Sequence, residues 1–344
     1  MIFTKYLTKS ANDINVQLES LYKLWERNIG KINSNLLPLI SIVIKANNGG
    51  KRLRGSLVKL GYELAGGKDQ KEILKPAAAF EIFQTAILAH DDIIDQSPLR
   101  RGKPTIYKAL GADHYAFSQT ICLGDIGFFQ ALQIIAESNF PDKEKNLAIK
   151  SFVKTMIETG LGEMLDVELP HLNIEKKEAD AITIFKLKTA RYTLIGPLEL
   201  GAILAGAKQE ILDNIEQFGE SLGIAFQIQD DILGVFGDEK TIGKSVTSDI
   251  AEGKNTLLII YALKQASPEQ RKLLGKFYGN PQVDERGLDE VRKVFKDTQA
   301  LEYSRQKALE YVSRAKKFIT QVTKDKGKQQ LLMEMADFLV ERTS

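Results

Sequence analysis

The chain has 344 residues, 43% hydrophobic and 27% charged, with a formal net charge of +2, an ordinary composition for a globular protein with room for a large core. Neither half is strongly basic, which argues against nucleic acid as a partner. Its single cysteine, Cys122, excludes an intramolecular disulfide framework and a CxxC metal site.

In chain order, the first twenty residues lack the apolar core of a signal peptide, and no run reaches the length that spans a bilayer. A cytoplasmic chain without a transmembrane segment is therefore expected. Residues 16–29, VQLESLYKLWERNI, place Val16, Leu18, Leu21, Leu24 and Ile29 along one helical face. A loop rich in glycine and cations, NNGGKRLRG, covers 47–55. Residues 77–95, AAAFEIFQTAILAHDDIID, are apolar all round before their aspartates, the pattern of a buried central helix. SPLRRGKPT (97–105) ends that helix.

Helical spacing resumes over 151–169, 182–206 and 214–237, and after Gly253 over 256–266, 288–297 and 308–323. The loops FGDEKTIGKS (236–245) and AEGKNT (251–256) again carry cations. No alternating strands bounded by hairpin turns are found, so the fold class is all-α. Nothing of linker composition and no repeat divides the chain, which reads as one domain over 1–344. The basic tail over 313–330 reads as a solvated helix face.

Three aspartates in five positions, Asp91, Asp92 and Asp95, pose the functional question. Asp91 and Asp95 are i and i+4, so their carboxylates share a helix face, with Asp92 to one side. That spacing suits Mg²⁺, a hard cation that takes few protein oxygens and completes its shell with water and substrate phosphate. Asp230 and Asp231 repeat the pattern at the end of another apolar helix, with Gln227 three residues earlier. Two facing clusters would let several Mg²⁺ ions clamp a diphosphate between them. Lys51, Arg52 and Arg54 beside two glycines, and the forks of Arg100 and Arg101, are suited to phosphate oxygens. Lys188, Lys244 and Lys254 lie in other loops or helix ends. The P-loop spacing is missing, which argues against nucleotide hydrolysis.

HDDIIDQSPLRRGKPT resembles the first aspartate-rich motif of the trans-isoprenyl diphosphate synthases. GGKRLRG, KTA at 188–190, FQIQDDILGVFGDEKTIGKSVTSDI and GKNT match further motifs of that family in the same order, over about residues 45–260. The resemblance implies the isoprenoid synthase fold, an antiparallel helical bundle around a deep central cavity, usually as a homodimer. It implies Mg²⁺-dependent head-to-tail condensation of isopentenyl diphosphate with an allylic diphosphate (dimethylallyl, geranyl or farnesyl). By position, Asp91, Asp95 and Asp230 are the implied principal metal ligands, supported by Asp92 and Asp231. Arg100, Lys188, Lys244 and Lys254 would hold the allylic diphosphate. Lys51, Arg54, Gln84 and Arg101 would hold isopentenyl diphosphate, Gln84 standing where many relatives have His. Thr189 and Gln227 would face the developing carbocation. Diphosphate itself would take the final proton, so His90, His114 and His171 are read as structural.

Two departures stand out. Gly234 replaces the third aspartate of the second motif, and Gly55 stands where KRLRP is common, a change read as affecting loop stiffness more than charge. Product length is read from the helix before Asp91, where one turn advances about 5.4 Å, comparable to an isoprene unit. Ala86 and Ile87 lie one turn upstream, and Ala86 leaves open a level that a bulky aromatic blocks in farnesyl-producing relatives. Phe83 is the expected floor, favouring geranylgeranyl diphosphate, while Tyr115, Phe117 or Gln119 on facing helices could set another. Farnesyl or longer products and a noncatalytic partner subunit remain alternatives. A terpene cyclase would not need GGKRLR or the paired arginines, and a purely structural bundle leaves the charged loops unexplained.

Overall fold

The computed structural model describes residues 1–172, 175–238 and 246–341, which form two compact units. The first comprises Met1–Val153, Gly196–Ile215 and Val322–Leu331. Its helix α1, Ile2–Ile32, is longer than the predicted 16–29 because Phe3, Leu7 and Ile14 extend the buried stripe toward the N-terminus. Helices α2 (Leu37–Asn47) and α3 (Leu53–Leu64) follow. The central α4, Leu74–Ile94, has Ala77, Ala78, Ala79 and Phe80 all fully buried, as its all-round apolar sequence requires.

Leu99–Arg100 (β1) and Lys103–Pro104 (β2) pair antiparallel, the only strands among the described residues. Their two-residue turn, Arg101-Gly102, has both φ angles positive at 53° and 71°, the geometry that tight hairpins select. Beyond α5 (Ile106–Ala109) runs α6, His114–Ala136, started by the Asp113 side chain accepting from Ala116 N–H at 2.9 Å. Added Cβ atoms at Gly124 and Gly127 would lie 2.3 Å from His90 Nε2 and 2.7 Å from Ala86 Cβ, so α6 packs unusually close to α4. By length and composition alone, the 23 residues of α6 are long and apolar enough to cross a bilayer. The sequence reading found no such run. Packing against α4 accounts for the apolar character of one side of this helix.

The second unit comprises Lys154–Ile195, Glu216–Gln321 and Leu332–Ser344. It holds the later part of α7 (Asp142–His171) and then α8 (Glu178–Ile184). The segment predicted as one helix over 182–206 changes character here, because Phe185–Ile195 forms a π-helix before α9, Gly196–Leu204. Pro197, which has no N–H to donate, sits in the first turn of α9. Most of α10, Gln209–Phe236, belongs to this unit, with Phe218, Leu222, Ile224 and Ile228 buried along it. The short α11 (Ser248–Ala251) precedes α12 (Leu257–Gln265) and α13 (Pro268–Phe277), the last opened by a Ser267/Gln270 capping box. In α14 (Glu285–Asp297), Leu288, Val291, Val294 and Phe295 form a buried stripe.

Candidate active site

In the first unit the acidic motif ends α4. Asp95 follows the last helical residue, and its N–H still donates to Asp91 O at 2.8 Å. One carboxylate oxygen of Asp91 lies within 4.8 Å of one of Asp95, a spacing one hard cation with metal–oxygen distances of about 2.0–2.1 Å can nearly bridge. Carboxylates at a helix C-terminus oppose the helix dipole and each other, so a cation is needed. Arg100 supplies it, with Nη2 2.8 Å from Asp91 Oδ2 and Nε 2.7 Å from Asp92 Oδ1. Asp92 is only 4% exposed. Burial raises its pKa to about 6, against the pull of Arg100 and with the help of Asp91 and Asp95.

The β1–β2 turn carries Arg101 to the loop before α3. Gly50 has φ 86°, a conformation that favours glycine, and a Cβ there would lie 2.9 Å from Arg101 Nη1, so the guanidinium rests against bare backbone. Around this contact is a cavity of about 260 Å³, lined by Gly49, Gly50, Thr85, Asp92, Arg100 and Arg101 among others. Lys51 is exposed, and Arg54 and Gln84 are half-buried on α3 and α4. Arg52, read from sequence as a further cation for the anion, is instead buried and turned to Glu81, with Nη1 3.5 Å from Oε2.

In the second unit, Lys188 and Thr189 lie on the π-helix. Glycines clasp it on both sides: a Cβ on Gly162 of α7 would be 2.5 Å from Lys188 N, and one on Gly223 of α10 2.4 Å from Ala190 Cα. Lys188 Nζ is 2.7 Å from Glu163 Oε2 and 2.8 Å from Asp166 Oδ2. Thr189 donates to Gln227 Oε1 at 2.5 Å, and Gln227 Nε2 donates to Asp231 Oδ1 at 2.7 Å. Asp230 is half-buried and Asp231 buried. Burial first, then the neighbouring Asp249, holds the Asp231 carboxyl well above the usual carboxylate range, while Gln227 and Lys254 pull it back.

Asp249 explains Gly234. A Cβ on Gly234 would lie 2.1 Å from Asp249 Oδ2, so the missing third aspartate leaves the space that another carboxylate fills. Lys254 is 3.4 Å from Asp249 and 3.0 Å from Glu252. Lys244 lies outside the described residues.

A family model described as polyprenyl synthetase matches residues 38–297. The chain belongs to this family. Among relatives of this polyprenyl synthetase, the geranylgeranyl diphosphate synthase of Sulfolobus acidocaldarius is 33% identical over 86% of this chain and 88% of its own length. The geranylfarnesyl diphosphate synthase of Aeropyrum pernix is 35% identical over 87% and 92%. A crystal structure of geranylgeranyl pyrophosphate synthase from Corynebacterium glutamicum, complexed with isoprenyl diphosphate and magnesium, superposes with a TM-score of 0.92 at 28% identity, over 99% of each chain. The protein is thus an all-α prenyltransferase.

Acidic residues that escaped the sequence reading of this synthetase include Glu81, Glu163, Asp166 and Asp249. Only Asp249 left a local signal, two residues after Thr247 and just before the glycine and lysine of AEGKNT. The others contact their partners across helices that sequence spacing does not relate. Of the chain-length residues, Ala86 is buried against Gly127 and Ile87 is half-buried. The Phe83 ring, 1% exposed, sits among Phe80, Phe128 and Phe152 at centroid distances of 5.7, 5.7 and 4.9 Å. Tyr115 is 53% exposed and Phe117 stacks on Tyr107. His90 lies in the Gly124 notch with Nε2 3.1 Å from Ile121 O.

Proposed function

We propose that this prenyltransferase condenses isopentenyl diphosphate with an allylic diphosphate, yields geranylgeranyl diphosphate, and works with Mg²⁺ as a cytoplasmic homodimer. The observation that carries the reading is the cavity beside Gly50, lined by Arg100, Arg101 and Asp92, whose Arg100 also holds Asp91 of the acidic motif. Isopentenyl diphosphate fits the cationic side, held by Lys51, Arg54, Gln84 and Arg101. Arg100, Lys188, Lys244 and Lys254 are assigned to the allylic diphosphate. The hard oxygens of Asp91, Asp95 and Asp230, with Asp92 and Asp231 and now Asp249 in support, fit Mg²⁺. When bound, the metal stabilises charge on the departing diphosphate.

The reaction breaks the allylic C1–O bond, joins C4 of isopentenyl diphosphate to C1, and passes the C2 proton to the released diphosphate. Lysines and arginines assigned to the diphosphate would favour that departure by stabilising the charge that develops on it. Thr189 and Gln227, fixed to each other, present oxygen dipoles to the cation. We keep residues 1–344 as one catalytic domain, since one family model runs through segments of both units. The relatives named above differ in product at nearly equal identity. Product length is therefore assigned from Phe83, not from overall similarity.

The test is incubation with Mg²⁺, isopentenyl diphosphate and farnesyl diphosphate, followed by mass analysis of the dephosphorylated alcohols. A single twenty-carbon alcohol, abolished by EDTA and restored by Mg²⁺, is expected. Folded protein that elongates no allylic primer would sink the assignment and leave a noncatalytic subunit.

A further inference from the structure

Glu81 is a carboxylate on α4 with 2% exposure, and none of the roles above uses it. Its Oε1 accepts from Gly55 N–H at 2.8 Å, and its Oε2 lies 3.5 Å from Arg52 Nη1. Both partners belong to the start of α3. Arg52 is the N-cap, in the left-handed region at φ 51°, and makes no side-chain cap. First-turn N–H groups have no partner within their own helix, so Glu81 performs from α4 what a capping side chain normally performs locally.

The cap continues outward through Arg52. Its Nε donates to Asn15 Oδ1 at 2.8 Å and its Nη1 to Asn47 Oδ1 at 2.6 Å, while Asn47 donates in turn to the Tyr22 hydroxyl. Lys51 immediately precedes this anchored side chain and Arg54 follows two residues later, in the first turn of α3. Charge points the same way. Desolvation lowers the Arg101 pKa, Glu81 acts to raise it, and Arg52, Arg54 and Arg100 act to lower it. Of these guanidinium groups, Arg52 is the one that the buried Glu81 carboxylate pairs directly.

Gly55 belongs to the same arrangement. A Cβ there would lie 2.8 Å from Ala77 O and 2.9 Å from Ile14 Cδ1. The close packing thus demands glycine, and the bond to Glu81 demands a residue that has a backbone N–H. The proline common at this position of the motif would satisfy neither demand, because it adds a Cβ and removes the N–H that Glu81 accepts.

We propose that Glu81 is a positioning residue for isopentenyl diphosphate recognition: as counter-charge and cap of α3, it holds Lys51, Arg54 and Arg101 ready for a diphosphate. The proposal rests on the assignment of those three cations to isopentenyl diphosphate. A carboxylate with a merely structural role would lower stability without distinguishing one substrate from the other. The positioning role predicts a selective effect.

The experiment compares wild type with Glu81→Gln, Arg52→Gln and the double variant, measuring both KM values, kcat and thermal stability. Glu81→Gln should raise KM for isopentenyl diphosphate about tenfold, equivalent to roughly 1.4 kcal/mol, and leave KM for farnesyl diphosphate within about twofold. Adding Arg52→Gln should recover much of that loss, because local charge balance returns. Equal rises in both KM values, or a lower melting temperature with KM for isopentenyl diphosphate unchanged, overturn the proposal. Should Glu81→Gln not fold, Glu81→Asp makes the same comparison, because its shorter side chain cannot span Gly55 and Arg52 together. Should wild type elongate no primer, the proposed function fails, and calorimetric titration with isopentenyl diphosphate alone decides the role of Glu81. Weaker binding to the variant supports it, whereas equal binding or none to either protein overturns it.

Discussion

Asp92 is held between two opposed demands. Arg100 favours its charge, but burial disfavours it more, and the pKa settles at about 6 instead of 3.8. An acid with a raised pKa keeps its proton more tightly in the folded chain than in the unfolded one. Its contribution to stability is therefore best at low pH and declines as pH rises through about 6. In metal-free protein, Asp92→Asn should stabilise the fold by about 2–3 kcal/mol at pH 8, with the gain vanishing near pH 4. Melting curves in EDTA across that range check this, and a gap independent of pH would refute the account. Turnover with Mg²⁺ should fall in the same variant, because the strained carboxylate supports the metal ligands. Phe83 poses a different question, since its ring is closely packed with three others. Phe83→Ala would cost about 3–5 kcal/mol in a core of this kind, so Phe83→Leu is the cleaner probe. It should extend the product beyond twenty carbons by mass; an unchanged alcohol would remove Phe83 as the floor.

At the scale of elements, the acidic motifs, the cationic loops and the helical class were legible, because each depends on local spacing. The π-helix was not. Residues 182–206 carry a plausible helical pattern throughout, and the widened turns over Phe185–Ile195 come from packing rather than from a sequence signal. Gly162 on α7, with Gly219 and Gly223 on α10, makes room for this widened segment, and nothing in the local spacing of 151–169 or 214–237 marks these glycines out. Gly234 was likewise readable as a lost ligand, whereas the Asp249 carboxylate that fills its place comes from a separate helix. The clasp on the π-helix has a testable consequence. Gly223→Val must push against Ala190, and so displace the neighbouring Thr189 from Gln227. Turnover should drop about a hundredfold, in the range typical for losing a group that stabilises developing charge, while the helical circular dichroism signal stays near wild type. Full turnover from Gly223→Val would mean that the π-helix does not set the position of Thr189.

At the scale of the whole molecule, α6 is the element whose composition exceeds what the described fold uses. One side is accounted for by Gly124 and Gly127 against α4, yet Tyr115, Ile126 and Phe129 are 53%, 43% and 71% exposed. Their spacing, together with exposed Cys122, draws one stripe along the helix. Apolar side chains arranged this way mark an interaction surface rather than scattered exposure. A second copy of the chain is the occupant proposed here, since identical stripes meeting across a two-fold axis cover each other. Phe129 is the most exposed of the set, and replacing it by glutamate places like charges together at the centre of such a contact. Light scattering of the purified protein should show twice the chain mass for wild type and the single-chain mass for Phe129→Glu. Because burial of the stripe also supports α6, and α6 supports α4 with its aspartates, the monomeric variant should lose turnover as well. Wild type that runs at single-chain mass over micromolar concentrations would end the homodimer proposal and reopen the question of what covers this face.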